Sequence, residues 1–360
     1  MFNCEGTCAP CEFADNSKQE NYNYLLAQLK KKINAINRGP NRIYDCIVGV
    51  SGGKDSTRQA VWVREHLGMN PLLVCCSYPP KQMIDIGASN LANLISLGFD
   101  VEVYNPAPET AAKLSLKSFE QFGNVCKASE IALFATVPKI ALEREINVVF
   151  FGENPALQEG DSATLGVDVF DANMLRGLNT LSDGGTAWIS DVAAGSRRSS
   201  YRYPAVSEFE ESGLQMLYLG PTWPDWQMSE NAYYSVLNGL LTRTDEEILT
   251  GDISNASMLD EEFTNINMMI KYYKFGFGRA TDICNELIRA KKISREDAIG
   301  IVKAYDGLCS DEIIARYCSW VGITSQHFWS VVKRFVNRDI FELSDGRPKP
   351  LFEIGSPVCQ

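Results

Sequence analysis

The chain is poor in histidine, with two in 360 residues. His66 and His327 both fall in segments that read as helices, so neither is placed as a general base, and no Ser/His/Asp triad is visible. No apolar run approaches the roughly 18 residues a membrane-crossing helix needs. The opening Met1-Phe2-Asn3-Cys4 lacks the basic region and apolar core of a secretion signal, so a cytoplasmic location is expected. Positive charge is also scarce: 34 Lys and Arg stand against 45 Asp and Glu, a net charge of −11. Nucleic-acid affinity comes mostly from neutralising phosphates with Lys and Arg, so this balance argues against nucleic acid as a partner. There is no internal repeat, no low-complexity tract and no G-x-x-x-x-G-K-[ST] loop.

What the chain does have is an ordinary globular composition, 45% hydrophobic, and an alternation of apolar runs with helical patterns. Strands are expected at 44–50, 71–77, 100–104 and 146–152. Helices are expected between them at about 56–67, 85–97, 111–121 and 128–144, after a linker helix over 21–36. This order predicts an α/β fold with a parallel sheet covered by helices. Residues 153–225 show no clean periodicity and are rich in Gly, Ser, Asp and Asn. Beyond 226 the chain reads as mainly helical, with Ser294 and Ser310 as helix N-caps ahead of acidic first turns. The expected division is a Cys-bearing segment over 1–20, an α/β domain over 21–225 and a helical domain over 226–360.

The first strand runs directly into Ser51-Gly52-Gly53-Lys54-Asp55-Ser56, and a helix follows. A strand that turns through glycines into a helix leaves backbone N–H groups at the positive end of the helix dipole. Glycine allows the turn and the close approach of an anion. Lys54 adds charge, and Ser51, Ser56 and Thr57 add hydroxyls. The chemistry points to phosphate or pyrophosphate. The fourth strand ends in Gly152-Glu153-Asn154-Pro155, on the same strand-end crevice. Asp55 and Glu153 offer the hard oxygens that Mg²⁺ prefers. The second strand ends in Val74-Cys75-Cys76-Ser77, where backbone groups could meet an adenine while the two thiols pack as small hydrophobes.

Other constellations are less singular. Cys126 and Lys127 open a helix, where a thiol would lose its proton more readily; Cys126 could be a nucleophile or a packing residue, and Lys127 could serve phosphate or substrate. Cys8-Ala9-Pro10-Cys11, with Cys4, supplies three thiols of a tetrahedral zinc site. A fourth ligand would come from Cys309, Cys284 or a histidine. Eleven cysteines with no secretion signal are expected to be reduced. Phe275-Gly276-Phe277-Gly278-Arg279 could close over a sugar, with aromatic faces on the ring and Arg279 on a carboxylate; it could equally be a helix-capping turn. Trp223-Pro224-Asp225-Trp226 reads the same two ways.

The Ser51–Ser56 loop resembles the SGGxDS signature of the PP-loop ATP pyrophosphatases, whose fold is of the adenine nucleotide α-hydrolase type. Together with Glu5–Cys11, Phe151–Pro155, Phe275–Asp282, Ile293–Ala298 and Tyr305–Asp311, it resembles the N-acetyl sugar amidotransferases of bacterial O-antigen, pseudaminic and legionaminic acid pathways. That resemblance implies ATP, Mg²⁺ and Zn²⁺ as cofactors. It implies adenylation of a sugar's N-acetyl oxygen, pyrophosphate release and attack by ammonia to give an acetamidino sugar. The ammonia would come from a separate glutaminase subunit or free in solution, since no glutaminase signature is visible; a homodimer is compatible with it. The implied nucleotide site comprises Val48, Ser51, Gly52, Gly53, Lys54, Asp55, Ser56, Val74, Gly152, Glu153 and Asn154. Lys54, Asp55, Glu153 and Lys127 are the catalytic candidates, and Asn154, Arg279 and Phe275 the sugar-binding ones. Cys4, Cys8, Cys11 and Cys309 are the zinc candidates, although family members carry an earlier C-x₂-C where this chain has Cys4 alone. The competing expectation is a PP-loop sulfur transferase acting on tRNA through Cys126.

Overall fold

A computed structural model describes residues 4–5, 7–16, 21–36, 43–152, 169–177, 187–193, 195–244, 250–344 and 346–356. The chain divides into two compact units, one of residues 1–77, 87–106 and 130–241, the other of 78–86, 107–129 and 242–360.

The first unit holds a five-stranded sheet in the order β3-β2-β1-β4-β5. Its strands are β1 (Cys46–Gly49), β2 (Pro71–Cys76), β3 (Asp100–Tyr104), β4 (Val148–Phe151) and β5 (Gln215–Tyr218). Every pairing is parallel; Val48, for example, lies opposite Leu73 on one side and Phe150 on the other. The helices preceding and joining them are α1 (Ala9–Asn16), α2 (Tyr22–Ala35), α3 (Lys54–His66), α4 (Asp85–Ser96), α5 (Pro108–Phe122) and α6 (Lys127–Glu143). After β4 come α7 (Ser196–Ser199), α8 (Val206–Ser212) and, past β5, α9 (Met228–Leu237).

Side chains alternate across the strands with period two. Cys46, Val48, Leu73, Cys75, Val148, Phe150 and Leu217 pack on one face with Leu29 and Ile33 of α2 and Ala60, Val61 and Val63 of α3. Ile47, Leu72, Val74, Val149, Met216 and Tyr218 pack on the other with Val137, Ile140 and Ala141 of α6 and Phe209 of α8. Burial of both faces explains why the central strands read as unbroken apolar runs. Burial also pushes the Cys76 thiol up to about 11, in keeping with its packing role. The expected α/β architecture is therefore present. The fifth strand was not anticipated, because four residues inside the Gly- and Ser-rich stretch give too short a pattern to see.

The second unit is mainly helical. It contains α5, α10 (Thr264–Phe275), α11 (Arg279–Arg289), α12 (Arg295–Tyr305), α13 (Asp311–Val321) and α14 (Ser325–Phe335), and a two-stranded pair β6 (Phe341–Glu342) and β7 (Lys349–Pro350). Phe119 stacks on Phe328 at 5.1 Å between ring centroids, and Tyr317 meets Phe119 and Phe263 edge-on at 5.9 and 5.3 Å. The expected Ser caps are both made: Ser294 Oγ accepts from the Asp297 N–H at 3.1 Å and Ser310 Oγ from Glu312 at 3.1 Å. A helical domain was expected from 226, whereas the second unit resumes at 242, because α9 packs on α3 of the first unit.

Two sequence motifs meet inside this unit. The Asp306 carboxylate, one residue past α12, accepts from the N–H groups of Gly278 at 2.8 Å and Ala280 at 3.1 Å and from the Thr281 hydroxyl at 2.6 Å. It thus caps α11 from the far end of the helical hairpin. A Cβ on Gly278 would stand 2.7 Å from Asp306 Oδ1, and one on Gly307, at φ +75°, only 2.2 Å from the Tyr272 ring. Nearby, Glu261 is buried and accepts from the N–H groups of Phe263 and Thr264 at 2.7 Å, from Gln82 Nε2 at 2.9 Å and from the Thr264 hydroxyl.

Two outcomes follow. Replacing Asp306 with Ala removes a helix cap and should lower stability by about 1–2 kcal/mol, read as a shift in urea midpoint at constant slope. Burial, and then the Glu261 charge, push the Asp260 carboxyl from 3.8 up to about 7. The folded state therefore holds a proton that the unfolded state releases, so this group's contribution to stability is full below pH 3.8 and declines as pH rises to about 7. Asp260→Asn should flatten the fall in stability across that window, measured as urea midpoint against pH; an unchanged slope would contradict the assignment.

Candidate nucleotide site

The order of the sheet makes β1 and β4 neighbours whose following connections diverge, so their carboxyl ends flank a natural crevice. The backbone extends the ladder one residue beyond β1, with the Val50 N–H on the Val74 carbonyl at 2.9 Å. It then turns sharply. Gly52 sits at φ +86°, and a Cβ there would lie 2.9 Å from the Leu91 backbone nitrogen of α4. Both constraints demand glycine.

Gly53 is the N-cap of α3, and no side chain caps the helix. Ser51 and Ser56 both brace the loop. Ser51 Oγ accepts from the Gly53 N–H at 3.3 Å; Ser56 Oγ accepts from the Ser51 N–H at 3.3 Å and donates to the Gly53 carbonyl at 3.2 Å. The first-turn N–H groups of α3 are thereby left for an anion. Lys54 is buried beside them, its Nζ 2.7 Å from Asp55 Oδ2. Thr57 Oγ1 and Gln59 Oε1, on the same helix, are buried with no hydrogen-bond partner among the described residues. An uncapped helix terminus, an ammonium group and an orphan hydroxyl fit a polyphosphate. The Asp55 carboxylate fits a hard divalent cation.

Val48 and Val74 are buried in the sheet and frame the loop from below. Gly152 directly follows β4, its carbonyl accepting from the Gly220 N–H at 2.7 Å. A Cβ on Gly152 would lie 2.3 Å from Gln59 Nε2 and 2.7 Å from the Trp226 ring, so this corner is filled to contact. Glu153 and Asn154 lie outside the described residues. Of the two readings of Trp223-Pro224-Asp225-Trp226, packing describes Trp223, which is buried 5.1 Å from Trp62 and 4.5 Å from Trp226, between ring centroids. Asp225 Oδ1 accepts from Arg58 Nη2 at 2.8 Å.

Sequence reasoning missed the partners of the loop on α9. Asn231 Nδ2 donates to Asp55 Oδ1 at 2.7 Å, and Ser235 Oγ donates to the Lys54 carbonyl at 2.6 Å. Arg58 Nη1 donates to Asn231 Oδ1 at 2.7 Å. Asn231 and Ser235 are four residues apart and both buried, and a small polar stripe on one helix face was the available signal.

The remaining candidates belong to the second unit or the amino-terminal segment. Lys127 begins α6 with its Nζ 5.3 Å from the Phe122 ring centroid. Cys126 is buried in the apolar core, its Sγ 3.6 Å from Thr264 Oγ1, an enclosed position for a sulfur carrier. Arg279 Nη2 donates to Ser257 Oγ at 2.7 Å, and its Nε is buried without a partner among the described residues. Phe275 is 61% exposed and Phe277 41%, their ring centroids 6.2 Å apart. Cys8 immediately precedes α1 and Cys11 lies in its first turn, with the Cys11 N–H on the Cys8 carbonyl at 3.0 Å, and Cys4 comes before them. Cys309 is buried in the second unit's core. Among the described residues no three His, Cys, Asp or Glu side chains are grouped as a metal site requires. Cys4, Cys8 and Cys11 belong to the first unit and Cys309 to the second.

Residues 256–353 match the family model described as LPS biosynthesis protein WbpG-like, C-terminal domain. No curated protein matches the chain. Among solved structures, the U34-tRNA thiolase NcsA from Methanococcus maripaludis with its [4Fe-4S] cluster aligns at 12% identity over 82% of this chain and 86% of its own, with a TM-score of 0.31. The matched segment contains the helical hairpin capped by Asp306 and is similar to the WbpG-like C-terminal domain of LPS biosynthesis proteins, while the loop at the head of α3 lies outside it.

Proposed function

We propose that the chain is an ATP-dependent amidotransferase that converts the N-acetyl group of a bacterial surface-polysaccharide sugar into an acetamidino group. The observation that carries this reading is the uncapped amino end of α3, with Lys54 and Asp55 on it, in a chain whose carboxyl-terminal segment matches an LPS biosynthesis family.

The amide oxygen of the N-acetyl group attacks the α-phosphorus of ATP. The bond from that phosphorus to the bridging oxygen breaks, and pyrophosphate leaves. Lys54 and the first-turn N–H groups of α3 stabilise the charge that gathers on it. Mg²⁺, held through Asp55 with Glu153 in support, supplies further charge neutralisation when bound. The amide oxygen, a poor leaving group, is now part of AMP, a good one. Ammonia adds to the activated carbon, a proton is lost, and AMP departs to leave the amidine. Ammonia is supplied by a glutaminase subunit or taken from solution. Phe275 and Phe277 present exposed aromatic faces suited to a sugar ring, and Arg279 Nε has hydrogen-bonding capacity in reserve. The burial of Cys126 and the acidic net charge of −11 count against tRNA thiolation.

Incubation with ATP, ammonia and a panel of N-acetylated bacterial sugars should yield a product lighter by the difference between O and NH, with AMP and pyrophosphate in equal amounts. A thiolated base from an RNA incubation would overturn the assignment. Asp55→Ala should cut pyrophosphate release by about 10²-fold or more without changing the circular dichroism spectrum. Phe275→Ala, at an exposed site, should raise KM for the sugar several-fold and leave KM for ATP as it was.

A further inference from the structure

The buried polar chain between α3 and α9 does more than dock two helices. Asn231 is 1% exposed and both ends of its amide are engaged. Arg58 sets which end faces which way. Its guanidinium is held by Asp225 Oδ1 at 2.8 Å and the Asp225 carbonyl at 3.3 Å, and lies 4.9 Å from the Trp223 ring centroid and 5.4 Å from that of Tyr234. A guanidinium can only donate, so Asn231 must turn Oδ1 toward it, and Nδ2 then points at Asp55 Oδ1. One turn along α9, Ser235 ties the same helix to the Lys54 carbonyl.

We propose that Asn231 is a positioning residue for the nucleotide loop, holding the Asp55 carboxylate by Oδ1 so that Oδ2 is the oxygen presented to a divalent cation. The inference rests on the ATP reading above. Asp55 Oδ2 sits on Lys54 Nζ at 2.7 Å. A polyphosphate that draws the ammonium away leaves Oδ2 directed by Asn231 rather than free to rotate. The geometry also explains an otherwise wasteful arrangement: a buried arginine, about one turn along α3 from the loop, acts on the carboxylate through one amide.

Calorimetric titration of ATP across a series of Mg²⁺ concentrations, and without Mg²⁺, tests this. Asn231→Ala should weaken Mg·ATP binding by about tenfold or more, the worth of one hydrogen bond to a charged group. It should move the Mg²⁺ midpoint upward while leaving metal-free ATP affinity little changed. Asn231→Asp keeps the shape and the Arg58 partner, so it should fold, and its carboxylate facing Asp55 should move the midpoint at least as far. Ser235→Ala should lower the melting temperature with the Mg²⁺ midpoint in place. A wild-type midpoint in both Asn231 variants, or an equal shift in Ser235→Ala, would reduce Asn231 to a docking contact and overturn the proposal. Wild-type protein that binds no ATP at all would overturn the nucleotide reading itself and the inference with it.

Discussion

The site depends on one helix terminus being left without a side-chain cap. In the second unit, side chains meet the first N–H groups of several helices, Ser294, Ser310 and Thr324 from the cap position and Glu261 and Asp306 from outside it. At α3 the cap position is Gly53, and the neighbouring hydroxyls of Ser51 and Ser56 are spent on the loop itself. The rest of the first unit holds this exposed dipole in place. The sheet order brings β1 and β4 together beneath it, Leu91 of α4 closes over Gly52, and α9 grips its first turn through Asn231 and Ser235.

Much of this was legible in the sequence. Strands buried on both faces leave apolar runs that only a few folds tolerate, which is why β1, β2 and β4 could be located. The Ser-Gly-Gly-Lys-Asp-Ser loop is legible because its chemistry is local: the turn, the glycine at positive φ and the charged first turn all lie within six residues. What could not be read is set by distance along the chain. Asp55 and Asn231 are 176 residues apart, and no local pattern joins them. The Trp223–Trp226 segment stayed open between two readings for the same reason, since clustered aromatics look alike whether they meet a ligand or an arginine on a neighbouring helix.

The second unit shows a different kind of legibility. The Phe275–Asp282 and Tyr305–Asp311 segments stood out in the sequence without an evident reason for either. In the structure they are two halves of one arrangement, with Asp306 supplying the cap, Gly278 making room for it and Gly307 making room for the Tyr272 ring. Some of what marks these motifs is therefore architectural. The part left over is the pair of exposed phenylalanines and Arg279, whose packing alone does not account for their exposure or unused hydrogen-bonding capacity.

The Asp306 cap has a dynamic consequence. Because one carboxylate at the end of α12 holds the first amides of α11, neither helix can fray at that junction without disturbing the other. The hairpin should then open and close as a single cooperative segment, a foldon whose slowest-exchanging amides include those of Gly278 and Ala280. Phe275 and Phe277 lie immediately upstream of this segment, so exposed aromatic rings on the surface are mounted beside one of the least yielding stretches of backbone in the unit.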